Sequence, residues 1–185
     1  MNAAILLIDL QKYFYKLDHD KFDNKISRNI QWLLDFARNK KIRIIHIITI
    51  YKSDKSNWPE SYKDREQMWC METTEDAEII QQALPEKGEE VIIKKRFSGF
   101  YETELEETLC KNKIDTLFLT GYSADVCVRL TTLDAFNRGY KLFWISDCID
   151  SAFETYELSE NYIKKLTRLN VITIDEMKKL FGQEI

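Results

Sequence analysis

Asp9, Lys94 and Cys127 are the residues of this sequence whose chemistry points most directly to a catalytic site. A cysteine thiolate is a strong nucleophile, and a helix N-terminus or a neighbouring cation favours it over the neutral thiol. Lys94 would supply such a cation, while Asp9 would accept the thiol proton and return it to a leaving group. The backbone N–H groups of the turn at residues 121–127 would hold the oxygen of a tetrahedral intermediate. Together these residues predict acyl-transfer chemistry at Cys127.

These three residues are predicted to meet at one edge of a parallel sheet. Asp9 and Lys94 each directly follow an apolar run, and Cys127 follows another run after a short turn. The runs are nearly continuous rather than alternating, which is typical of strands buried on both faces. In such a sheet, ligands bind outside the carboxyl ends of the strands. The predicted strands are Ala3–Ile8 and residues 42–50, 91–93, 116–119, 142–145 and 171–174.

Helical patterns separate these runs along most of the chain. Residues 22–39 carry apolar side chains at helical spacing, and a helix predicted over 75–84 stops at Pro85. Further helices are predicted from 103, from 126 to near 139 on the stripe Val126, Leu130 and Leu133, and from 151 toward 168. Residues 103–106 and 151–154 match the capping-box pattern. This alternation indicates an α/β fold with helices on both faces of the sheet, and residues 1–185 are predicted to form a single domain.

Each of the three candidate residues also has a purely structural interpretation. A cysteine that follows a strand is often a small buried hydrophobic residue. Asp9 would then cap a turn, and Lys94 would be a solvated lysine with Lys95 and Arg96 equally well placed. The catalytic interpretation rests on the predicted position of all three at one edge of the sheet.

Composition narrows the classes of partner and compartment. The net charge of −4 comes without a basic stripe, so we expect no nucleic-acid partner. No apolar stretch is long enough to cross a bilayer, and no export signal is visible. Four cysteines lack both C-x-x-C spacing and companion histidines, so neither zinc nor disulfides are expected. We therefore expect a cytoplasmic protein with free thiols, a small-molecule substrate, and no contact with nucleic acid or membrane.

Three motifs occur in order along the chain. D-x-Q-x-x-F occupies residues 9–14, and K-x-x-[YF]-S-[AG]-F followed by T-x-L occupies residues 94–105. Residues 121–128 are similar to G-x-x-T-x-x-C-V, which T-x-x-D-A and G-Y follow up to residue 140. Ser146-Asp147 follows the fifth predicted strand. This ordered set resembles the isochorismatase-like cysteine hydrolases, a family that includes nicotinamidases, N-carbamoylsarcosine amidase, and ureidoacrylate and biuret amidohydrolases.

The resemblance implies a fold and a catalytic triad. The fold would be a three-layer α/β/α sandwich around a six-stranded, mainly parallel sheet. The triad would be Asp9, Lys94 and Cys127. Lys94 is selected over Lys95 because the family lysine stands four residues before the motif serine, here Ser98.

The resemblance also implies how the active-site turn is built. It implies a cis peptide between Tyr122 and Ser123, and an oxyanion hole formed by the backbone amides of Ser123 and Cys127. Family members are commonly dimers or larger, so the same resemblance implies a homo-oligomer.

Departures from the family pattern narrow the expected substrate. Nicotinamidases of the family bind a metal through histidines that follow the second strand, whereas here no histidine follows Tyr51. His19 and His46 are the only histidines, and His46 is expected in the core. We therefore expect no metal, no cofactor, and a substrate other than nicotinamide. Ala124 replaces the family threonine, and Glu72 stands where the family has glycine.

The combined prediction is an amidohydrolase that cleaves a C–N bond of a small amide or ureide through a thioester on Cys127. Phe14, Phe97 and Tyr122 are the candidate pocket residues, although each would also suit the core. The remaining cysteines, Cys70, Cys110 and Cys148, are predicted to be structural.

Three alternatives stay open. A vinyl-ether hydrolase of the isochorismatase type would use Asp9 as an acid and would not need Cys127. A non-catalytic binding member of the family would keep the fold with an unreactive thiol. A redox-active cysteine protein is the third, although no resolving cysteine is near Cys127 in the sequence.

Overall fold

The computed structural model describes residues 1–17, 26–153 and 155–182. Within them six strands form one sheet: β1 (Ala3–Ile8), β2 (Arg43–Thr49), β3 (Glu90–Lys94), β4 (Thr116–Tyr122), β5 (Lys141–Asp150) and β6 (Asn170–Ile172). Their order is β3-β2-β1-β4-β5-β6, and all neighbouring pairs are parallel. The chain therefore starts in the middle of the sheet, builds one edge, and then crosses over to build the other.

Helices cover both faces of this sheet. The described helices are α1 (Lys12–Leu17), α2 (Ser27–Lys40), α3 (Leu105–Lys111), α4 (Cys127–Asn137), α5 (Tyr156–Thr167) and α6 (Ile174–Leu180). Short 3-10 segments lie at Glu60–Tyr62, Glu75–Ala77 and Gln81–Ala83. The three-layer α/β/α prediction is confirmed, with a sheet that is parallel throughout the described residues.

Strand alternation divides the core into two layers. Ile5 and Leu7 of β1 pack on the face covered by α2 and α6. Ala4 and Leu6 of the same strand pack on the opposite face, which is covered by α3, α4 and α5. Because both faces are covered, every residue of β1 is buried, as the unbroken apolar run predicts.

The six predicted strands are confirmed, although β4 and β5 run several residues past the ends of their predicted apolar runs. β4 continues through Gly121 to Tyr122, and β5 continues to Asp150. A register shift between Leu119 and Gly121 separates the two parts of the β4–β5 pairing. These extensions carry polar residues because they reach the carboxyl edge of the sheet, where the site lies.

The predicted helix at residues 75–84 is wrong. This stretch contains two 3-10 turns separated by extended backbone at Glu78. Tertiary hydrogen bonds compete with the helix there: Lys12 N–H donates to the Glu78 carbonyl, and Ile80 N–H donates to the Leu10 carbonyl. Tertiary pairing thus overrides the local pattern.

The other predicted helices form, with differences in detail. α2 matches the prediction for 22–39, of which residues 22–25 lie outside the described part of the chain. α4 turns Val128, Thr131, Thr132 and Ala135 inward, whereas Leu130 and Leu133 of the predicted stripe are only half-buried.

The capping box predicted at residues 103–106 does not form as expected. The N-cap of α3 is Glu104 rather than Thr103 and makes no side-chain cap, but the Thr103 hydroxyl accepts from the Leu105 N–H at 3.3 Å. At the start of α5 the N-cap is Thr155, also without a side-chain cap, and Glu154 lies outside the described residues. Ser151 instead binds Asp125.

Candidate active site

The carboxyl ends of β1, β3 and β4 bring Asp9, Lys94 and Cys127 together. The ammonium Nζ of Lys94 lies 2.8 Å from Asp9 Oδ2 and 3.5 Å from Cys127 Sγ. All three side chains are buried. Cys127 is the first residue of α4, so the structure places it at a helix N-terminus, as the sequence indicates.

Thr49, the last residue of β2, connects the acid to the lysine. Its hydroxyl donates to Asp9 Oδ1 at 2.9 Å and accepts from Lys94 Nζ at 2.7 Å. Lys94 Nζ also donates to the Arg96 carbonyl at 3.2 Å. Sequence reasoning missed Thr49, although its position at the end of a strand beside β1 was the available signal.

Gln11 holds this edge of the sheet to the segment that follows. Its side-chain amide donates to the carbonyls of Thr49 and Ala77, and its oxygen accepts from the Thr49 N–H. The glutamine of the first motif therefore fixes the backbone of Thr49, which in turn orients Asp9. Asp9 itself adopts a left-handed backbone with φ of 53°, and its N–H donates to the Ile47 carbonyl.

The turn between β4 and α4 is built on a close backbone contact. Gly121 has φ of +108°, and a Cβ atom at this position would lie 2.0 Å from the Ile8 carbonyl oxygen. Only glycine fits there. The peptide between Tyr122 and Ser123 is cis, as the motif implies. The Ser123 carbonyl accepts hydrogen bonds from the N–H groups of Val126 and Val128, which closes the turn around Cys127.

Charge and burial act on the cysteine in opposite directions. Burial raises the pKa of the Cys127 thiol, the Asp9 carboxylate raises it further, and Lys94 lowers it. The balance is a raised pKa, so the resting residue is a thiol. Burial alone would lower the pKa of Lys94, but Asp9 and Cys127 outweigh that effect and raise it. Lys94 is therefore a permanent cation. It lowers the pKa of Cys127, as expected, but burial and Asp9 together raise that pKa by more.

Cys127 lies at the wall of a cavity of about 440 Å³. The three predicted pocket residues, Phe14, Phe97 and Tyr122, all line it. Sequence reasoning missed several others, of which Tyr51, Tyr62 and Trp69 come from the irregular segment at residues 51–71. The full lining is Tyr13, Phe14, Thr49, Tyr51, Tyr62, Trp69, Phe97, Tyr122, Ser123, Val126, Cys127, Ala152 and Phe153.

Aromatic rings on this lining contact one another. Trp69 packs against Tyr13, Tyr51 and Tyr62, with ring centroids 5.6–6.2 Å apart. Phe14 packs against Tyr122 at 5.2 Å. Burial raises the pKa of Tyr51 to about 12, so this hydroxyl stays protonated. The site thus combines a buried charged group at its base with predominantly aromatic walls.

Comparison with known proteins places this site in a family. A model of the isochorismatase domain matches residues 3–176. The chain belongs to the isochorismatase family. The solved structure of an isochorismatase family protein from Desulfovibrio vulgaris has the same fold, with a TM-score of 0.86 and 23% sequence identity, covering 98% of this chain and 99% of that one.

Curated relatives in the isochorismatase family include proteins of different description. YrdC of Bacillus subtilis, an uncharacterised isochorismatase family protein, is 31% identical over 172 residues, which is 92% of this chain and 84% of YrdC. N-carbamoylsarcosine amidase of Arthrobacter is 32% identical over 128 residues, which is 63% of this chain and 46% of that protein. The chain spans 58% of enterobactin synthase component B of Escherichia coli, at 26% identity over 171 residues.

Metal-binding side chains are not grouped in the part of this isochorismatase-family chain that the structure describes. Among residues 1–17, 26–153 and 155–182, no cluster of three or more His, Cys, Asp or Glu could hold a metal ion. His46 Nε2 instead lies 2.9 Å from Glu89 Oε2, away from the cavity. His19 lies outside the described residues. In those same ranges, no helix is long and apolar enough to cross a membrane.

The remaining cysteines differ from one another. Cys70 and Cys148 are buried, and burial raises the pKa of both thiols. Cys110 is exposed on α3, whereas its neighbours Leu105 and Leu109 are buried. Cys110, which the sequence predicts to be structural, therefore lies on the solvent side of that helix. Its exposure makes it a useful internal reference for thiol reactivity.

Proposed function

We propose that this chain is a cysteine amidohydrolase that cleaves a C–N bond of a small amide or ureide. The observation that carries the proposal is the buried group of Asp9, Lys94 and Cys127, whose cysteine lines a largely aromatic cavity. The nucleophile faces a space large enough for a small molecule, and the cation beside it is paired with the proposed proton acceptor.

Each residue has one role in the proposed reaction. Cys127 Sγ attacks the carbonyl carbon while its proton passes to Asp9, which matches a thiol whose pKa is raised. Backbone amides of Ser123 and Cys127 hold the oxyanion. The proton then passes from Asp9 to the nitrogen and the C–N bond breaks. Ammonia or an amine departs, and the acyl group remains on Cys127 as a thioester. Water attacks the thioester, Asp9 takes its proton, and the carboxylic or carbamic acid departs as the thiol re-forms.

Lys94 is the cation that pairs with the proposed proton acceptor, Asp9. A buried carboxylate without a partner would favour its protonated form, which cannot accept the thiol proton. The 2.8 Å contact with Lys94 Nζ gives the Asp9 carboxylate a partner, and Thr49 fixes the orientation of both groups. Lys94 thus supports the base and, once the thiolate forms, stabilises that charge.

The aromatic walls favour amide hydrolysis of an uncharged substrate over the vinyl-ether reaction. Within the described residues, the cavity lining has no lysine, arginine or histidine that could pair with a substrate carboxylate. Isochorismate carries carboxylates, whose burial without a cation is costly. The similarity to N-carbamoylsarcosine amidase also supports C–N bond cleavage. Rings such as Phe14 and Trp69 suit a planar, apolar acyl group.

We further propose that residues 1–185 form one domain that works in the cytoplasm as a homo-oligomer. Free cysteines and the family resemblance support this proposal. Light scattering after size-exclusion chromatography would measure the mass of the particle, and a 22.1 kDa species would contradict the oligomer.

A screen of aliphatic and aromatic amides and ureides, followed by mass spectrometry of the quenched protein, tests the function. We expect turnover of at least one neutral amide and an acyl adduct on Cys127. Cys127→Ala should abolish both, whereas Cys110→Ala should retain both. No adduct and no turnover would contradict the proposal. Full hydrolysis of isochorismate by Cys127→Ala would establish the vinyl-ether alternative instead.

A further inference from the structure

Asp125 is a buried carboxylate that the proposed reaction does not use. It lies two residues before Cys127 and is only 4% exposed. The hydroxyls of Ser151 and Thr155 each donate to it at 2.7 Å, and the hydroxyl of Ser159 donates at 3.2 Å. The backbone N–H of Phe153 adds a fourth donor at 3.1 Å.

These donors keep Asp125 ionised inside the protein. Burial raises the pKa of its carboxyl, but the hydrogen bonds from Ser151, Thr155, Phe153 and Ser159 lower it by more, so the pKa is lowered overall. A carboxylate with this many donors is typical of a charge that organises the backbone around it. Three of the four donors come from one short segment, residues 151–155, of which the structure describes 151–153 and 155.

Asp125 joins two walls of the cavity. Its own turn contributes Ser123, Val126 and Cys127 to the lining, and the segment that it binds contributes Ala152 and Phe153. A second connection runs alongside, from Ala124 N–H to the Asp150 carbonyl at 2.8 Å. Within the segment, the N–H of Thr155 donates to the Ser151 hydroxyl at 3.0 Å.

Phe153 is the large side chain that the segment bound by Asp125 contributes to the cavity lining. Its backbone is held by Asp125, yet its side chain lines the cavity and the residue is 69% exposed. A ring held at a cavity while largely exposed to solvent suits contact with a ligand better than a role in the core. Other residues of the lining, among them Tyr62 and Trp69, are aromatic as well.

We propose that Asp125 is a positioning residue that holds Phe153 over the cavity, and that this ring contacts an apolar or aromatic group of the substrate. This role rests on the proposed function of Cys127. Asp125 does not touch the reacting atoms; it acts by fixing the 151–155 segment to the turn that bears the nucleophile. The carboxylate thereby connects the ring that contacts the substrate to the turn that bears Cys127.

Alkylation by two reagents of different size tests this role without a known substrate. Iodoacetamide and N-benzyl-2-iodoacetamide carry the same reactive group, and the second adds an aromatic ring. The readout is the ratio of their second-order rates at Cys127, located by peptide mass spectrometry. We expect the benzyl reagent to be favoured in the wild-type protein. Phe153→Ala should reduce the ratio about three- to tenfold, the range typical of one aromatic contact.

Asp125→Asn should reduce the ratio to a similar extent, and the double variant Asp125→Asn/Phe153→Ala should fall no further. Such non-additivity is expected when one residue acts through the other. Asp115→Asn is the matched control, because Asp115 accepts from Thr116 at the opposite edge of the sheet and should leave the ratio unchanged. Thr155→Val removes a single donor and provides the test if Asp125→Asn does not fold.

The outcomes separate this inference from the proposed function. The positioning role alone would be overturned if the ratio in both Asp125→Asn and Thr155→Val equalled the wild-type ratio. The same holds if the rates for the two reagents fell by the same factor. Additive effects in the double variant would overturn it as well. A Cys127 that reacts with neither reagent in the wild-type protein would contradict the proposed function, and the role of Asp125 with it.

Discussion

The two ends of β3 both carry ion pairs, and the contrast between them separates a structural charge cluster from a catalytic one. Before the strand, Glu89 accepts from Arg38 Nε at 2.8 Å and lies 2.9 Å from His46 Nε2. At its end, Lys94 pairs with Asp9 at 2.8 Å. Both clusters join neighbouring elements of the fold through a carboxylate and a cation.

What differs is the surroundings of each cluster. Arg38 binds Glu89 through two nitrogens and also donates to the Leu84 carbonyl, so its donors are used to hold the connection into β3. Lys94 lies instead beside a thiol and an aromatic cavity. A buried ion pair alone is therefore weak grounds for a functional site. The adjoining nucleophile and space make the difference.

The largest difference between the two clusters is expected in turnover, when each carboxylate is replaced by its amide. Asp9→Asn removes the proposed proton acceptor, and turnover should fall about 10²–10⁴-fold. Glu89→Gln has the same change in charge at the other end of β3 and should leave kcat/KM within about twofold, because it touches nothing in the cavity. Steady-state rates on the amide identified by screening provide the measurement. Comparable losses in both variants would show that the two clusters do not differ in function.

Removing the cations should separate the clusters by stability. Lys94→Met leaves Asp9 buried without its cation, and we expect a loss of about 3–5 kcal/mol in the free energy of unfolding. Arg38→Met should cost less, about 1–3 kcal/mol, because Glu89 is nearer to solvent and keeps other donors. Urea unfolding measures both values. Adding Asp9→Asn to Lys94→Met should recover part of the loss, and no recovery would contradict the unpaired-charge explanation.

The pH dependence of the free energy of unfolding tests the structural role of the Glu89 cluster. Burial raises the pKa of Glu89, but hydrogen bonds from Arg38, the Glu86 N–H and His46 lower it by more, to about 2 from 4.5. Because the folded-state pKa is depressed, its contribution is fully present above pH 4.5 and is lost as the pH falls through about 2. The difference in unfolding free energy between wild type and Glu89→Gln should therefore shrink between these values. A difference that is constant with pH would contradict the depressed pKa.

The smallest effect is expected at the cavity wall. Phe97→Leu keeps an apolar side chain but removes a ring from the lining, so KM should rise about threefold with little change in kcat. Phe136→Leu, at a similarly exposed ring on α4 that does not line the cavity, is the matched control. A proportionate fall in kcat instead would place Phe97 in the chemical step.

Much of the framework could be predicted from local pattern. The strands were visible because burial on both faces demands unbroken apolar runs, and the edge where Asp9 and Lys94 meet follows from parallel topology. Motif resemblance supplied the cis peptide after Tyr122. These features depend on residues close together in the sequence or on the rules of one fold.

The parts that escaped prediction depend on contacts between distant segments. Thr49 lies near the end of a predicted strand, but only the folded structure shows its hydroxyl between Asp9 and Lys94. Residues 75–84 have a helical pattern, yet pairing of Gln11 with the Ala77 carbonyl and with Ile79 holds extended backbone there. Asp125 likewise has no signal of its own, because its partners lie 26 or more residues away.

The pH dependence of iodoacetamide alkylation at Cys127 tests the central claim most directly. Wild type, Asp9→Asn and Lys94→Ala would be compared, with the exposed Cys110 in each sample as reference. Because Asp9 raises the thiol pKa and Lys94 lowers it, the profile should move to lower pH in Asp9→Asn and to higher pH in Lys94→Ala. Identical profiles in all three proteins, or a Cys127 that does not react, would contradict a catalytic group assembled from these residues.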